Sequence, residues 1–193
     1  MNQEAQGIIK THVIWAAGGG LIPIPVVDFI AVTGIQLDML QQLCDLYHVN
    51  YQKNQGKSII GALVGSSLAR LGASVVKAIP VFGSLLGGVS MSIMSGASTY
   101  AIGQVFNEHF KRGGDLSDLD VEDFKRYYEE KVQEGKKVAE ELRKQSEQEA
   151  KSKNRTDAMQ EKLEELNRLK DKGFVTSEEY EKMREKILKD FIG

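Results

Sequence analysis

Hydrophobic and polar positions divide this chain into two textures. From Lys10 to Asp28 no residue between carries a formal charge, and from Ala78 to Asn107 there is again none. The first run, HVIWAAGGGLIPIPVV, is broken by three glycines followed by Pro23 and Pro25. Glycine permits tight turns and close backbone approach, while each proline removes an amide donor and pushes its predecessor toward extended geometry. The pattern predicts two apolar helices folded back on each other about this break, over residues 3–20 and 26–48. Ile8, Ile9, His12 and Trp15 give the first its bulk. In the second, Leu37, Leu40, Cys44 and Tyr47 form an apolar stripe. Asp38, Gln41, Gln42 and Asp45 fall at i, i+3, i+4 and i+7 and are expected to face water.

Residues 49–57, VNYQKNQGK, read as a polar turn. A second apolar region then repeats the first plan, with an Ile79-Pro80 break where the first has Ile22-Pro23, a weak internal duplication of helical hairpins. The uncharged run from residue 78 to 107 exceeds the about 20 residues needed to cross a bilayer, but its serines and glycines make insertion marginal. Gly61 and Gly65, Gly83 and Gly87, and Ser92 and Gly96 each place small residues four apart. Such pairs let helices approach closely, in lipid or inside a soluble all-α core.

Beyond Gly113-Gly114, which should stop a helix, Ser117 or Asp118 can cap the next. Val121, Phe124, Tyr128, Val132, Val138 or Ala139, and Leu142 then recur at helical spacing as a docking face. Gly135 falls within this charged helix, where replacing it is expected to help. Residues 143–157 hold no large hydrophobe and read as a solvated extension or a flexible linker. Met159, Leu163, Leu166 and Leu169 form a further stripe, ended by Lys172-Gly173. Thr176 and Glu179 have capping-box spacing, and Tyr180, Met183, Ile187 and Phe191 form the matching stripe. So small a hairpin buries little alone. Held off by residues 143–157, it is expected to drive oligomerisation through Leu163, Leu166, Leu169, Tyr180, Met183 and Ile187.

The expected fold is therefore all-α: two Gly/Pro-broken apolar hairpins, a long charged helix and a small C-terminal hairpin. The parts are residues 1–114, 115–156 and 157–193. Charge supports the division, since residues 1–114 hold seven Lys/Arg and five Asp/Glu against 18 and 22 in the remainder. A net charge of −2 argues against a general nucleic-acid partner. Cys44 is the sole cysteine, so neither an internal disulfide nor a CxxC motif exists. A small buried apolar role suits it better than a reactive thiol. MNQEAQGIIK lacks the basic start and apolar core of a secretory leader, which points to the cytosol or the cytosolic face of a membrane.

Catalytic motifs are scarce. Gly18-Gly19-Gly20 runs into Leu-Ile-Pro, and Gly61 to Ser67 contains no lysine, so no phosphate-cradling loop is present. His12, His48 and His109 lie far apart; His48 with Asp45 could pair as ligands, though a surface polar pair is the plainer reading. Ser66-Ser67 reads as helix-packing glue rather than a nucleophile. Asp28 stands out among the acids for its apolar setting. It reads either as a first-turn acid favoured by the helix dipole or as a buried carboxylate relaying protons. No catalytic residue, cofactor or metal site is expected.

At IPIPVVDFIAVTGIQLDMLQQLCDLYHV and at KAIPVFGSLLGGVSMSIMSGASTYAIGQVFNEHF the chain resembles the YcjF-type domain of unknown function, itself distantly similar to the EcsC family. Pro23, Pro25, Asp28, the patch from Gln36 to Met39, Tyr47, Pro80, Gly83, Gly103 and His109-Phe110 with Gly113-Gly114 carry the likeness, over residues 5–135. Tyr47-His48 departs from the expected Tyr-Gly. DAMQEKLEELNRLKDKGFVTSEEYEKMREKIL is similar to the short C-terminal domain called SHOCT. The first resemblance implies a membrane-associated domain of bacteria and plants, often fused behind GTPase domains, and the second an oligomerisation or regulatory tag; neither brings catalytic residues, and with no phosphate loop in this chain a GTPase, if involved, would act in trans. The expectation is a non-enzymatic helical protein at the cytosolic face of a bacterial inner membrane. It would contact lipid and self-assemble or recruit a partner. A soluble all-α adaptor with a tightly packed Gly-rich core is the alternative.

Overall fold

The computed structural model describes residues 2–17, 29–75, 91–152 and 155–192, and among these every regular element is a helix. In chain order they are α1 (Gln3–Ala16), α2 (Phe29–Tyr47), α3 (Lys53–Val75), α4 (Met91–Lys111), α5 (Val121–Ser152), α6 (Arg155–Asp171) and α7 (Ser177–Ile192). Pro23, Pro25, Asp28, Pro80, Gly83 and Gly87 lie outside the described residues.

α4 is the axis of the bundle, burying one face against α1, another against α2 and a third against α5. Small residues bring these helices together. A Cβ on Gly96 would stand 2.8 Å from Ala139 Cβ and 2.9 Å from Ala17 Cβ, and one on Gly103 would stand 2.7 Å from Ile9 Cγ1. Polar side chains then fix the register. Gln6 and Gln104 exchange amide hydrogen bonds of 3.3 and 2.9 Å. Gln36 donates to Thr99 Oγ1 at 3.2 Å, and the Tyr47 hydroxyl donates to Asn107 Oδ1 at 2.7 Å. Each pair satisfies groups that would be costly to bury alone.

These contacts orient the helices. α1 runs antiparallel to α4, with Gln6 beside Gln104 and Ala17 beside Gly96, whereas α2 runs parallel to it, with Gln36 beside Thr99 and Tyr47 beside Asn107. The end of α1, the start of α2 and the start of α4 therefore share one end of the bundle. The opposite end carries Glu108, Arg112, Asp115, Asp118, Asp120 and Glu122. α5 returns antiparallel to α4, placing Ala139 at Gly96 and Arg143 at Ser92, to whose Oγ it donates at 3.0 Å. Residues 144–152 continue the same helix past the start of α4. The extension is thus helical through Ser152.

Several local expectations change. α3 begins at Lys53, inside the stretch read as a polar turn. Asp120 caps α5, accepting from the Glu122 amide at 2.8 Å. Neither Ser117 nor Asp118 does so, because Asp118 Oδ1 is taken by the Asp115 amide and His109 Nε2. Gly61 and Gly65 meet nothing within 4 Å, so this small-residue pair does not mediate helix contact among the described residues. Gly135 is a close-packing site: a Cβ there would lie 2.8 Å from the Ala97 carbonyl oxygen and 3.0 Å from Ala97 Cα. The uncharged run to Asn107 is not one free span either, since residues 96 to 107 are almost wholly buried in the bundle. Among the described residues no helix is long and apolar enough to cross a membrane.

Candidate functional site

The most concentrated chemistry lies where the C-terminal hairpin meets α1 and α2. Asp38 occupies the middle of α2 between Leu37 and Met39, and its side chain is wholly buried. His12 approaches from α1, with Nε2 2.8 Å from Asp38 Oδ2, and is itself wholly buried. His12 Nδ1 lies 2.7 Å from the Ile8 carbonyl oxygen. Both ring nitrogens thus face oxygen acceptors, a geometry met in full when the ring donates from each. From one turn on, Gln42 donates to Asp38 Oδ2 at 2.9 Å.

The last turn of α6 completes the cluster. Arg168 donates from Nη1 and Nη2 to the two Asp38 oxygens at 3.1 and 2.6 Å, and Lys172 Nζ donates to Oδ1 at 2.8 Å. The Arg168 guanidinium also binds Glu165 and lies 4.9 Å from the centre of the Trp15 ring. That ring in turn meets His12 edge-on at 4.6 Å. Burial alone would raise the Asp38 pKa. The hydrogen bonds from His12, Lys172 and Arg168, with the charge on His12, outweigh it and hold the carboxyl far below the usual range. The result is a closed charge cluster rather than an open cleft.

Beside it the α6–α7 turn seats on α2. Gly173 adopts φ 67°, the left-handed conformation that ends α6, and Thr176 with Glu179 closes the capping box on α7. A Cβ on Gly34 would stand 3.2 Å from the Phe174 carbonyl oxygen and 3.6 Å from Phe174 Cβ. Glycine at this position lets the turn come down on the helix. Lys53 donates to the Gly173 carbonyl and lies 5.7 Å from the Phe174 ring centre.

This arrangement corrects two expectations. The hairpin does not stand off from the main domain: Arg168 and Lys172 fasten it to Asp38, and Phe174 and Val175 are buried at Gly34. Asp38 does not face water with Gln41, Gln42 and Asp45; only Asp45 of that set is exposed. Of the hairpin residues assigned to self-association, Leu166, Leu169, Met183 and Ile187 are buried within this chain, while Leu163 and Tyr180 are half-buried. Gln36, Tyr47 and Gly103 all serve helix contacts to α4 or, for Gly103, within it toward α1 and α2. His48 and Asp45 are both exposed, and His109 sits 2.8 Å from Asp118 instead. Among the described residues no three His, Cys, Asp or Glu side chains converge as a metal-binding group. Cys44 is buried, and burial pushes its thiol up to about 12.

The Asp38 cluster escaped the sequence reading because helical spacing alone put Asp38 with its polar neighbours. A usable signal was present: His12 stands in a stretch otherwise free of ionisable residues, and two cations lie four apart at positions 168 and 172.

Residues 1–137 match the family described as a domain of unknown function, DUF697, and residues 161–188 match SHOCT, the short C-terminal domain. A protein of Magnetospirillum gryphiswaldense called magnetosome membrane protein 22 is 36% identical over 140 residues, covering 70% of this chain and 72% of that protein. No solved structure matches.

Proposed function

The chain belongs to the DUF697 family and carries a SHOCT segment behind that domain; from this premise we propose that it is a non-enzymatic, membrane-associated helical protein. Its place is the cytosolic face of a bacterial membrane, where it contacts lipid and assembles with copies of itself or with a partner such as a GTPase acting in trans. One observation carries the reading. The end of α1, the start of α2 and the start of α4 share one end of the bundle, and in sequence the charge-free stretches GGGLIPIPVV and AIPVFGSLLGGVS border these helix ends. One end of the bundle formed by the helix termini that border charge-free, proline-containing sequence, and a charged loop at the other end, suit a body that meets a bilayer with one end. The magnetosome membrane protein at 36% identity supports the same assignment.

The adaptor reading draws on α4, whose buried Thr99, Gln104 and Asn107 suit a water-soluble core as well as a lipid one. Flotation with vesicles of phosphatidylethanolamine and phosphatidylglycerol separates the two. The wild-type protein is expected to float, and Ile24→Asp combined with Phe82→Asp to remain at the bottom while keeping its helical circular dichroism. A wild-type protein that never floats overturns the membrane reading.

A further inference from the structure

We propose that the cleft between α2, the start of α3 and the α6–α7 turn binds the phosphate headgroup of an anionic phospholipid, with the ammonium groups of Lys53 and Lys57 on the phosphate. The bilayer as the source of that lipid rests on the membrane reading above. The cleft and its charge do not.

Three elements build the cleft. Gly34 and Leu37 of α2 with Phe174 and Val175 of the turn are buried and form its apolar base. Lys53 and Lys57, one helical turn apart on α3, are exposed at its rim. It encloses about 340 Å³, within the roughly 300–1,000 Å³ of sites that take small ligands.

The rim is positive. Lys53 is held by the Gly173 carbonyl and lies 5.7 Å from the centre of the Phe174 ring, and its ammonium has further N–H groups to donate. Lys57 has neither a hydrogen bond nor an ion pair among the described residues. Glu179 is the one carboxylate lining the cleft, and its Oε2 is engaged by the Thr176 amide at 2.6 Å. α3 and α7 both begin beside the cleft, so the positive ends of two helix dipoles add to the field.

Two cations over an apolar base fit an anion that carries hydrocarbon. A phosphodiester with its glycerol and first acyl carbons has that chemistry, and basic pockets of this kind suit lipid headgroups. A bare phosphate would leave Leu37, Phe174 and Val175 uncovered. Gly34 lies in the second turn of α2, near the end of the bundle that the membrane reading turns toward lipid.

Dihexanoyl phosphatidylglycerol, titrated into the full chain below its micelle concentration, reads the site without a bilayer. Saturable shifts of the Gly34, Lys57 and Val175 amide resonances are expected. Lys57→Glu should weaken this binding about 25-fold, about fivefold for the charge removed and fivefold for the charge opposed. Lys137→Glu makes the same charge change at an exposed position on α5 outside the cleft and should cost less than about twofold. Glycerol phosphate, which lacks the acyl carbons, should bind about tenfold more weakly than the lipid.

Equal losses in the two variants, or none in either, overturn the cleft as the site. Glycerol phosphate bound as tightly as the lipid overturns the lipid assignment in favour of a free phosphate. No saturable shift with either ligand overturns the proposal, and the vesicle flotation above still decides the membrane reading separately. Saturable lipid binding by a chain that never floats overturns the membrane reading and the bilayer as source, but not the site.

Discussion

At the scale of single residues, charge in a dry place decides most. Asp38 and Asp45 sit two turns apart on α2, one wholly buried among four donors and the other exposed. Asp38→Ala is expected to lower stability by about 3–5 kcal/mol, because it leaves the buried Nε2 of His12 and the cations of Arg168 and Lys172 without their carboxylate. Asp45→Ala should change it by no more than about 0.5 kcal/mol. Urea unfolding of the two variants checks this; equal midpoints would contradict it. His48 offers a second test. It adopts φ 57° at the end of α2, where the Val49 amide reaches back to the Cys44 carbonyl at 2.8 Å. That left-handed position suits glycine, the residue expected there from the family pattern. Relief of the Cβ clash against glycine's extra unfolded-state freedom leaves a net gain of about 0.5 kcal/mol for His48→Gly. A lower thermal midpoint would count against this.

At the scale of elements, contact overrides propensity. A helix reads Gly135 as a weakness worth about 1 kcal/mol, yet here it is where α5 lies on α4. Gly135→Ala must push against the Ala97 backbone, which cannot rotate away as a side chain can, and is expected to cost about 1–3 kcal/mol. Gly61→Ala on α3, with open space around it, should instead be neutral or stabilising. A calorimetric comparison decides the pair, and a stabilised Gly135→Ala would contradict the packing. Here lies the limit of what the sequence showed. Periodicity revealed that helices exist, because a 3.6-residue stripe is a local property. The capping box at Thr176, the stop at Gly173 and the stripes of α5 to α7 were equally visible. Which glycine is a contact and which is idle depends on the neighbouring helix, and no local window contains that helix. Gly96 and Gly61 look alike in sequence and differ wholly in surroundings. Asp38 was misplaced for the same reason, since three of its four partners lie 26 to 134 residues away.

At the scale of the molecule, the hairpin joins the body of the protein through the Asp38 carboxylate and through apolar residues, Phe174 and Val175 among them, that share its core. Because the Asp38 pKa is held below its unfolded value, the stabilisation it gives is complete above about pH 4 and is lost as pH falls through the depressed folded value. Docking should therefore be unchanged between neutral pH and about pH 5 and weaken only in stronger acid. Amide exchange across α6 and α7 at a series of pH values reads this directly. Loosening already at mild acidity would contradict it. The same contact has a consequence for how the chain folds. Arg168 and Lys172 reach Asp38 across 130 and 134 residues of sequence, whereas α6 and α7 join through a turn of a few residues. Local pairs close first and distant ones last, so the bundle and the hairpin should each form before they meet. Trp15, the only tryptophan, lies directly beneath the arriving guanidinium. Its fluorescence gives the chain a native clock for that final step: in refolding it should settle after the helical signal is complete, and that late phase should vanish when Arg168 and Lys172 are both alanine.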